Sequence, residues 1–350
     1  MKSSLLNRNW RWSLVEFAVV CVLSGSLAIS IAYSAVLTFD PETSPAADAK
    51  NYYLPLYRGE RPSVNYEHAA RRVLVPFLAR IVPDLPDSAF TPGRSFDDDF
   101  RATVKFAAVN MMFLTLTGCV VYYLARSFPG VAPELGLVAS LMYLGLPATV
   151  TKGAIPLVDA AYLFFFGLCA LAIRHRKPVL LAIAALIGVL AKEQVLLVTA
   201  LVLLAPYSIL SRVKLLAALV PSYLAYAGLS AVIAPPTMAP YAVAQSSARV
   251  LESVAYMVSP NGLVRVFLAF GPLWVLAGLG LFRYRTPPIL RRWAWFSLLV
   301  SAAIPLTGAT GLSRHLMILY PVVIPLAVLG LRGAIADVRS QLQDSVVREP

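Results

Sequence analysis

A chain of 350 residues that is 59% hydrophobic, 14% charged and +0.72 in mean hydropathy has too little polar surface to cover a soluble core of its size. Its apolar residues come in runs approaching the ~20 residues that a helix needs to cross a bilayer, so an all-α polytopic membrane protein is expected and a soluble enzyme is excluded. The net charge of +12 is not a nucleic-acid footprint: ten of the 18 acids lie between Thr38 and Arg101 beside only eight of the 30 Lys/Arg, and the other basic residues fall in short loops and tails, as cytoplasmic loops do.

About ten transmembrane helices are expected, near 14–37, 103–124, 135–150, 157–173, 178–191, 194–210, 214–233, 263–282, 293–309 and 316–333. The first run is too long for a signal-peptide core and reads as a retained anchor. An even number puts both termini on one side. Arg8, Arg11, Arg126, Arg174, Arg176, Lys177, Arg212, Lys214, Arg283, Arg285, Arg291, Arg292, Arg332 and Arg339 make that side the cytoplasm, in a plasma (bacterial inner) membrane.

The 38–101 segment is then a long first extracytoplasmic loop. Within it Tyr66–Val82 (YEHAARRVLVPFLARIV) puts Ala70, Val73, Leu74, Phe77, Leu78 and Ile81 on one helical face, with Arg71, Arg72 and Arg80 off it. This is the pattern of an interfacial helix whose basic residues sit among lipid phosphates, ended or kinked at Pro76. Residues 178–210 are too long for one span and give two short ones, and flanking basic clusters demand a hairpin with Lys192-Glu193-Gln194 at its outer tip. Short or broken helices are tolerated where they line a protein cavity. A second outer loop covers 234–262, and no soluble domain is expected after the last helix. Cys21, Cys119 and Cys169 fall in apolar runs and read as buried thiols.

Ionisable groups in or near the bilayer mark function. Asp159 opens the fourth span, Glu193 lies at the hairpin tip, and Asp40 and Asp48 follow the first span, so four carboxylates share the outer side. Asp48, followed by Tyr52 and Tyr53, suits a general base beside an aromatic wall and equally a helix N-cap. Arg314 and His315 precede the last span on the same side, where Arg can hold a phosphate by two parallel hydrogen bonds. It can also simply pair with lipid headgroups. Asp97-Asp98-Asp99 reads as a solvated helix start.

A first span, an acidic outer loop with amphipathic helices and then many spans resemble the GT-C superfamily of polyprenyl-phosphate-sugar-dependent glycosyltransferases. Four local matches carry the resemblance: Asp48 with Tyr52 and Tyr53, Arg72-Val-Leu-Val-Pro76, Ala191-Lys192-Glu193, and Arg314-His315 followed by Pro321 and Pro325. The chain is short for that superfamily and lacks a clean paired Asp-x-Asp in the first loop.

The resemblance implies inverting transfer of a hexosyl or pentosyl group from a polyprenyl-phosphate donor to a lipid or glycan acceptor outside the membrane. Asp48 or Asp40 would be the base. Arg314, His315 and Lys192 would stabilise the leaving phosphate, Glu193 would orient Lys192 or contact the sugar, and Arg72, Asp159, Tyr52 and Tyr53 would also bind substrate. No cofactor is required, although Mg or Mn would suit carboxylates and phosphate oxygens. Two other classes stay open, a lipid or solute transporter (flippase) and a non-catalytic membrane protein of the same fold. The first calls for internal symmetry and charges near span midpoints, neither of which the sequence displays.

Overall fold

The structure is a computed structural model that describes residues 14–38, 49, 53–60, 71–84, 98–233, 247–303 and 315–347. Its described residues are all-helical, without strands. In chain order the helices are α1 (Leu14–Thr38), α2 (Leu54–Arg58), α3 (Leu74–Ile81), α4 (Asp98–Arg126), α5 (Pro133–Leu144), α6 (Pro147–Lys152), α7 (Asp159–Arg174) and α8 (Pro178–Ala191). A 3₁₀ turn, Glu193–Leu197, leads into α9 (Val198–Leu204). Then come α10 (Ile209–Ile233), α11 (Ser247–Val258), α12 (Pro260–Phe270), α13 (Leu273–Phe282), α14 (Pro288–Ala303) and α15 (Tyr320–Val347).

Among the described residues, four helical stretches are long and apolar enough to cross a membrane: Leu14–Leu37, Asp98–Arg126, Ile209–Val232 and Met317–Asp344. The first and third turn most of their apolar surface outward, including Phe17, Val22, Ile29, Val213 and Leu224. Water would penalise such surfaces and lipid would not. The chain is therefore an all-α, membrane-embedded protein.

Side-chain contacts define two ends of the bundle. At one, Tyr122 donates to Glu16, Arg126 lies 3.5 Å from Glu16, Arg174 donates to the Ser127 carbonyl at 2.8 Å and Arg332 to that of Pro129 at 3.1 Å. The Tyr207 hydroxyl donates to the carbonyls of Ile173 and Arg174 at 3.0 and 3.1 Å, and the Arg176 guanidinium stacks 4.4 Å from its ring. Residue 207 thus lies beside the α7–α8 turn. The chain rises through α8 and returns through α9, which is the hairpin read from the basic flanks, with Lys192 and Glu193 at the opposite end.

Small residues let helices approach closely, as in membrane bundles generally. A Cβ on Gly280 would lie 2.0 Å from the Leu326 carbonyl oxygen, and one on Gly330 would lie 2.0 Å from that of Leu276. This is the α13–α15 seam. Gly118 of α4 fits where the Ser24 and Ser140 hydroxyls meet at 3.0 Å, joining α1, α4 and α5. Cys21 and Cys119 are free thiols 3.4 Å apart on α1 and α4.

Two expectations change. The 263–282 span is a pair of helices, α12 and α13, bent by 74°. Gly271 adopts φ +54 at the break, a conformation that favours glycine, and Pro272 follows it. The interfacial helix is also shorter than its periodicity suggests: α3 begins at Leu74, which places Pro76 in its first turn, where its missing N–H is harmless. Arg71 and Arg72 therefore precede the helix, and all three arginines hydrogen-bond to protein. Arg71 donates to the Tyr226 hydroxyl at 2.7 Å, Arg72 bonds Glu193, and Arg80 donates to the carbonyls of Leu56 and Tyr57. Val75 and Ala79 pack inward, leaving Phe77 and Ile81 of the expected apolar face exposed.

Candidate functional site

The site is assembled where α8 ends. Its helix stops because Lys192 is fully extended (φ −167, ψ 134), after which the 3₁₀ turn starts with Val195 N–H donating to the Lys192 carbonyl at 3.1 Å. One extended residue turns the side chains of Lys192 and Glu193 to different neighbours.

Lys192 turns toward α7. Its ammonium lies 3.0 Å from Asp159 Oδ1 and 4.5 Å from the centre of the Tyr162 ring, and both charged side chains are almost wholly buried. Asp159 is the first residue of α7, where helix dipoles favour a carboxylate. The irregular stretch before it is tied down by Asn110, whose side-chain amide donates to the carbonyls of Ile155 and Leu157 at 2.8 and 3.1 Å.

Glu193 turns toward the first loop. Arg72 grips its carboxylate with two bonds, NH2 to Oε1 at 2.6 Å and Nε to Oε2 at 3.1 Å, and donates to the Tyr53 hydroxyl at 3.3 Å. Tyr53 and Arg72 are buried. Burial disfavours a charge on Glu193, and the two bonds from Arg72 offset that cost.

The result is two carboxylates and two cations in alternation, Asp159, Lys192, Glu193 and Arg72, with no net charge. Such a cluster is costly to desolvate and holds only while each charge keeps its partner. Chemically it can offer a planar guanidinium and an ammonium to an anion that displaces a carboxylate, and it can move protons among neighbouring groups.

Below Asp159 is a small cavity of about 20 Å³, lined by Leu114, Tyr143, Thr149, Gly153, Leu163 and Met317 among others. The Tyr143 and Thr149 hydroxyls are buried and make no direct hydrogen bond of 3.5 Å or less among the described residues; Thr117 and Thr149 are the hydroxyls nearest Tyr143.

Five expected residues, Tyr53, Arg72, Asp159, Lys192 and Glu193, are thus gathered at one end of the bundle. His315 is half-buried two residues before Met317 of the cavity wall. Asp40, Asp48, Tyr52 and Arg314 lie outside the described residues. Glu193 was expected to orient Lys192 or meet the sugar, and it is Arg72 that it binds. Among the described residues no three His, Cys, Asp or Glu side chains gather around a metal position. Tyr143, Thr149, Asn110 and Tyr162 were not expected. The only sequence signal for them is a polar group inside an apolar run. No protein-family model, curated protein or solved structure matches the chain.

Proposed function

We propose that the protein is a membrane glycosyltransferase that moves a sugar from a polyprenyl phosphate to an acceptor on the extracytoplasmic side. The supporting observation is the meeting of the first-loop residues Tyr53 and Arg72 with the α8–α9 connection and the start of α7, at the end of the bundle away from the basic loops. A lipid-linked sugar phosphate would present its head at that depth while its tail stays among helices.

In this reading the chain makes ten passes, α5 with α6 and α12 with α13 each counting as one, and both termini are cytoplasmic. The acceptor oxygen attacks the anomeric carbon opposite the phosphate. The carbon–oxygen bond to phosphate breaks, the phosphate keeps the electron pair, and the acceptor proton passes to Asp48 or Asp40. Arg72 and Lys192, each still paired with its carboxylate, face the leaving phosphate, where cations lower the barrier most.

The test is release of free polyprenyl phosphate by purified protein in lipid, using a panel of polyprenyl-phosphate sugars with a lipid or glycan extract as acceptor. Release that Asp48→Asn or Asp40→Asn abolishes in a folded protein supports the reading. Absence of release from every donor sinks it.

A second reading is favoured by one observation: both cations are already balanced by carboxylates. Here the cluster is a clasp that fastens the first loop to the hairpin in a non-catalytic protein. Replacing Asp159 and Lys192 together by apolar residues would then restore the full cellular phenotype as well as stability. In the transferase, stability alone would return.

A further inference from the structure

The cavity beside Asp159 has an unmet demand. Tyr143 is completely buried and Thr149 nearly so, and neither hydroxyl makes a direct hydrogen bond of 3.5 Å or less among the described residues, although that of Tyr143 lies close enough to Thr117 and Thr149 to interact weakly with both. A buried hydroxyl left unsatisfied is costly, so native proteins supply one, through protein, water or ligand. The two residues come from separate helices, α5 and α6, and line one cavity with Asp159.

Its contents are limited by size and charge. A cavity of about 20 Å³ admits one water-sized group, since ~10–15 Å³ on this measure suffices for a water. Asp159 is already balanced by Lys192, and Glu193 by Arg72. A metal cation or an anion would therefore add an uncompensated charge to a buried site. What remains is a neutral group able both to donate and to accept: a hydroxyl.

We propose that this cavity is the subsite for one hydroxyl of the sugar carried by the lipid donor, with Tyr143 and Thr149 as its hydrogen-bond partners and a water in its place when no sugar is bound. This rests on the transferase reading and names the part of the site that recognises the sugar instead of the phosphate. Gly153 helps to shape the cavity: a Cβ there would meet the Thr149 carbonyl oxygen at 2.4 Å and Leu114 at 3.1 Å.

The test uses the full chain in lipid nanodiscs, with thermal unfolding measured with bare polyprenyl phosphate and with polyprenyl-phosphate glucose, mannose and galactose. In the wild type at least one sugar-bearing lipid should raise Tm above the value given by bare lipid. That extra shift should vanish in Thr149→Val and Tyr143→Phe and survive in Thr149→Ser, which keeps a hydroxyl. Because every comparison is between two lipids on the same variant, a change in basal stability does not mimic the effect. An extra shift that persists in both Thr149→Val and Tyr143→Phe overturns the subsite and leaves the transferase reading standing. Should no sugar-bearing lipid exceed bare lipid in wild type while polyprenyl phosphate is still released, the subsite again falls alone. No extra shift and no release remove both.

Discussion

Lys192 and Asp159, far apart in sequence, meet as an ion pair 3.0 Å long from which solvent is almost excluded. Breaking such a pair by removing one partner leaves a bare charge in a poor solvent, at a cost of about 3–5 kcal/mol. Lys192→Met and Asp159→Leu should each destabilise the protein by that order in detergent unfolding. The double variant should recover most of the loss, because two apolar side chains leave no charge behind. A double variant no more stable than the singles would show that the pair does not act as a unit.

Acid should weaken the protein. His175, in the α7–α8 turn, is held neutral, chiefly by burial and then by Arg174 and Lys177, with its pKa brought from 6.5 to about 4. The unfolded chain takes up this proton first, so the associated stability is complete above 6.5 and is lost as pH falls toward about 4. In Tm-against-pH curves His175→Gln should remove this step.

The α13–α15 seam should not tolerate a methyl group. Gly280→Ala puts a carbon against the Leu326 carbonyl oxygen, and forced repacking of this kind costs about 1–3 kcal/mol. Gly278, on the same helix, has open space around its Cβ position. Gly278→Ala should therefore be neutral or slightly stabilising, and equal unfolding of the two variants would contradict the packing.

Arg176 is the one non-glycine described residue with positive φ, at 55°. Left-handed backbone costs a side-chain-bearing residue about 1–2 kcal/mol, which stacking on Tyr207 offsets here. Arg176→Ala keeps the strain and loses the stack, whereas Arg176→Gly loses both. The glycine variant should be the more stable by about 1 kcal/mol in denaturant titration.

The legible part of the molecule was carried by long-range pattern. Basic flanks alone demanded that 178–210 double back, and Tyr207 beside Ile173 and Arg174 meets that demand. Asp159, Lys192 and Glu193 stood out because charge is rare in apolar sequence, and Arg72 through the amphipathic stretch that holds it. Their pairing did not stand out: it depends on one extended residue at 192, and periodicity says nothing about which way two adjacent side chains will turn. The bend at Gly271 was hidden too, because apolar composition runs through it unbroken. Tyr143 and Thr149 were lost among many hydroxyls, since only packing decides which of them goes unpartnered.

The shortness of α8 has a consequence for the surrounding lipid. Fourteen residues rise only ~21 Å, against a hydrocarbon layer of ~30 Å. In the proposed topology a floor laid at Lys192 and Glu193 is sunk below the leaflet's surface by nearly two helical turns. Over it the bilayer would dip or water would enter, and the phosphate of the proposed donor would leave the plane of its neighbours before it met a charge.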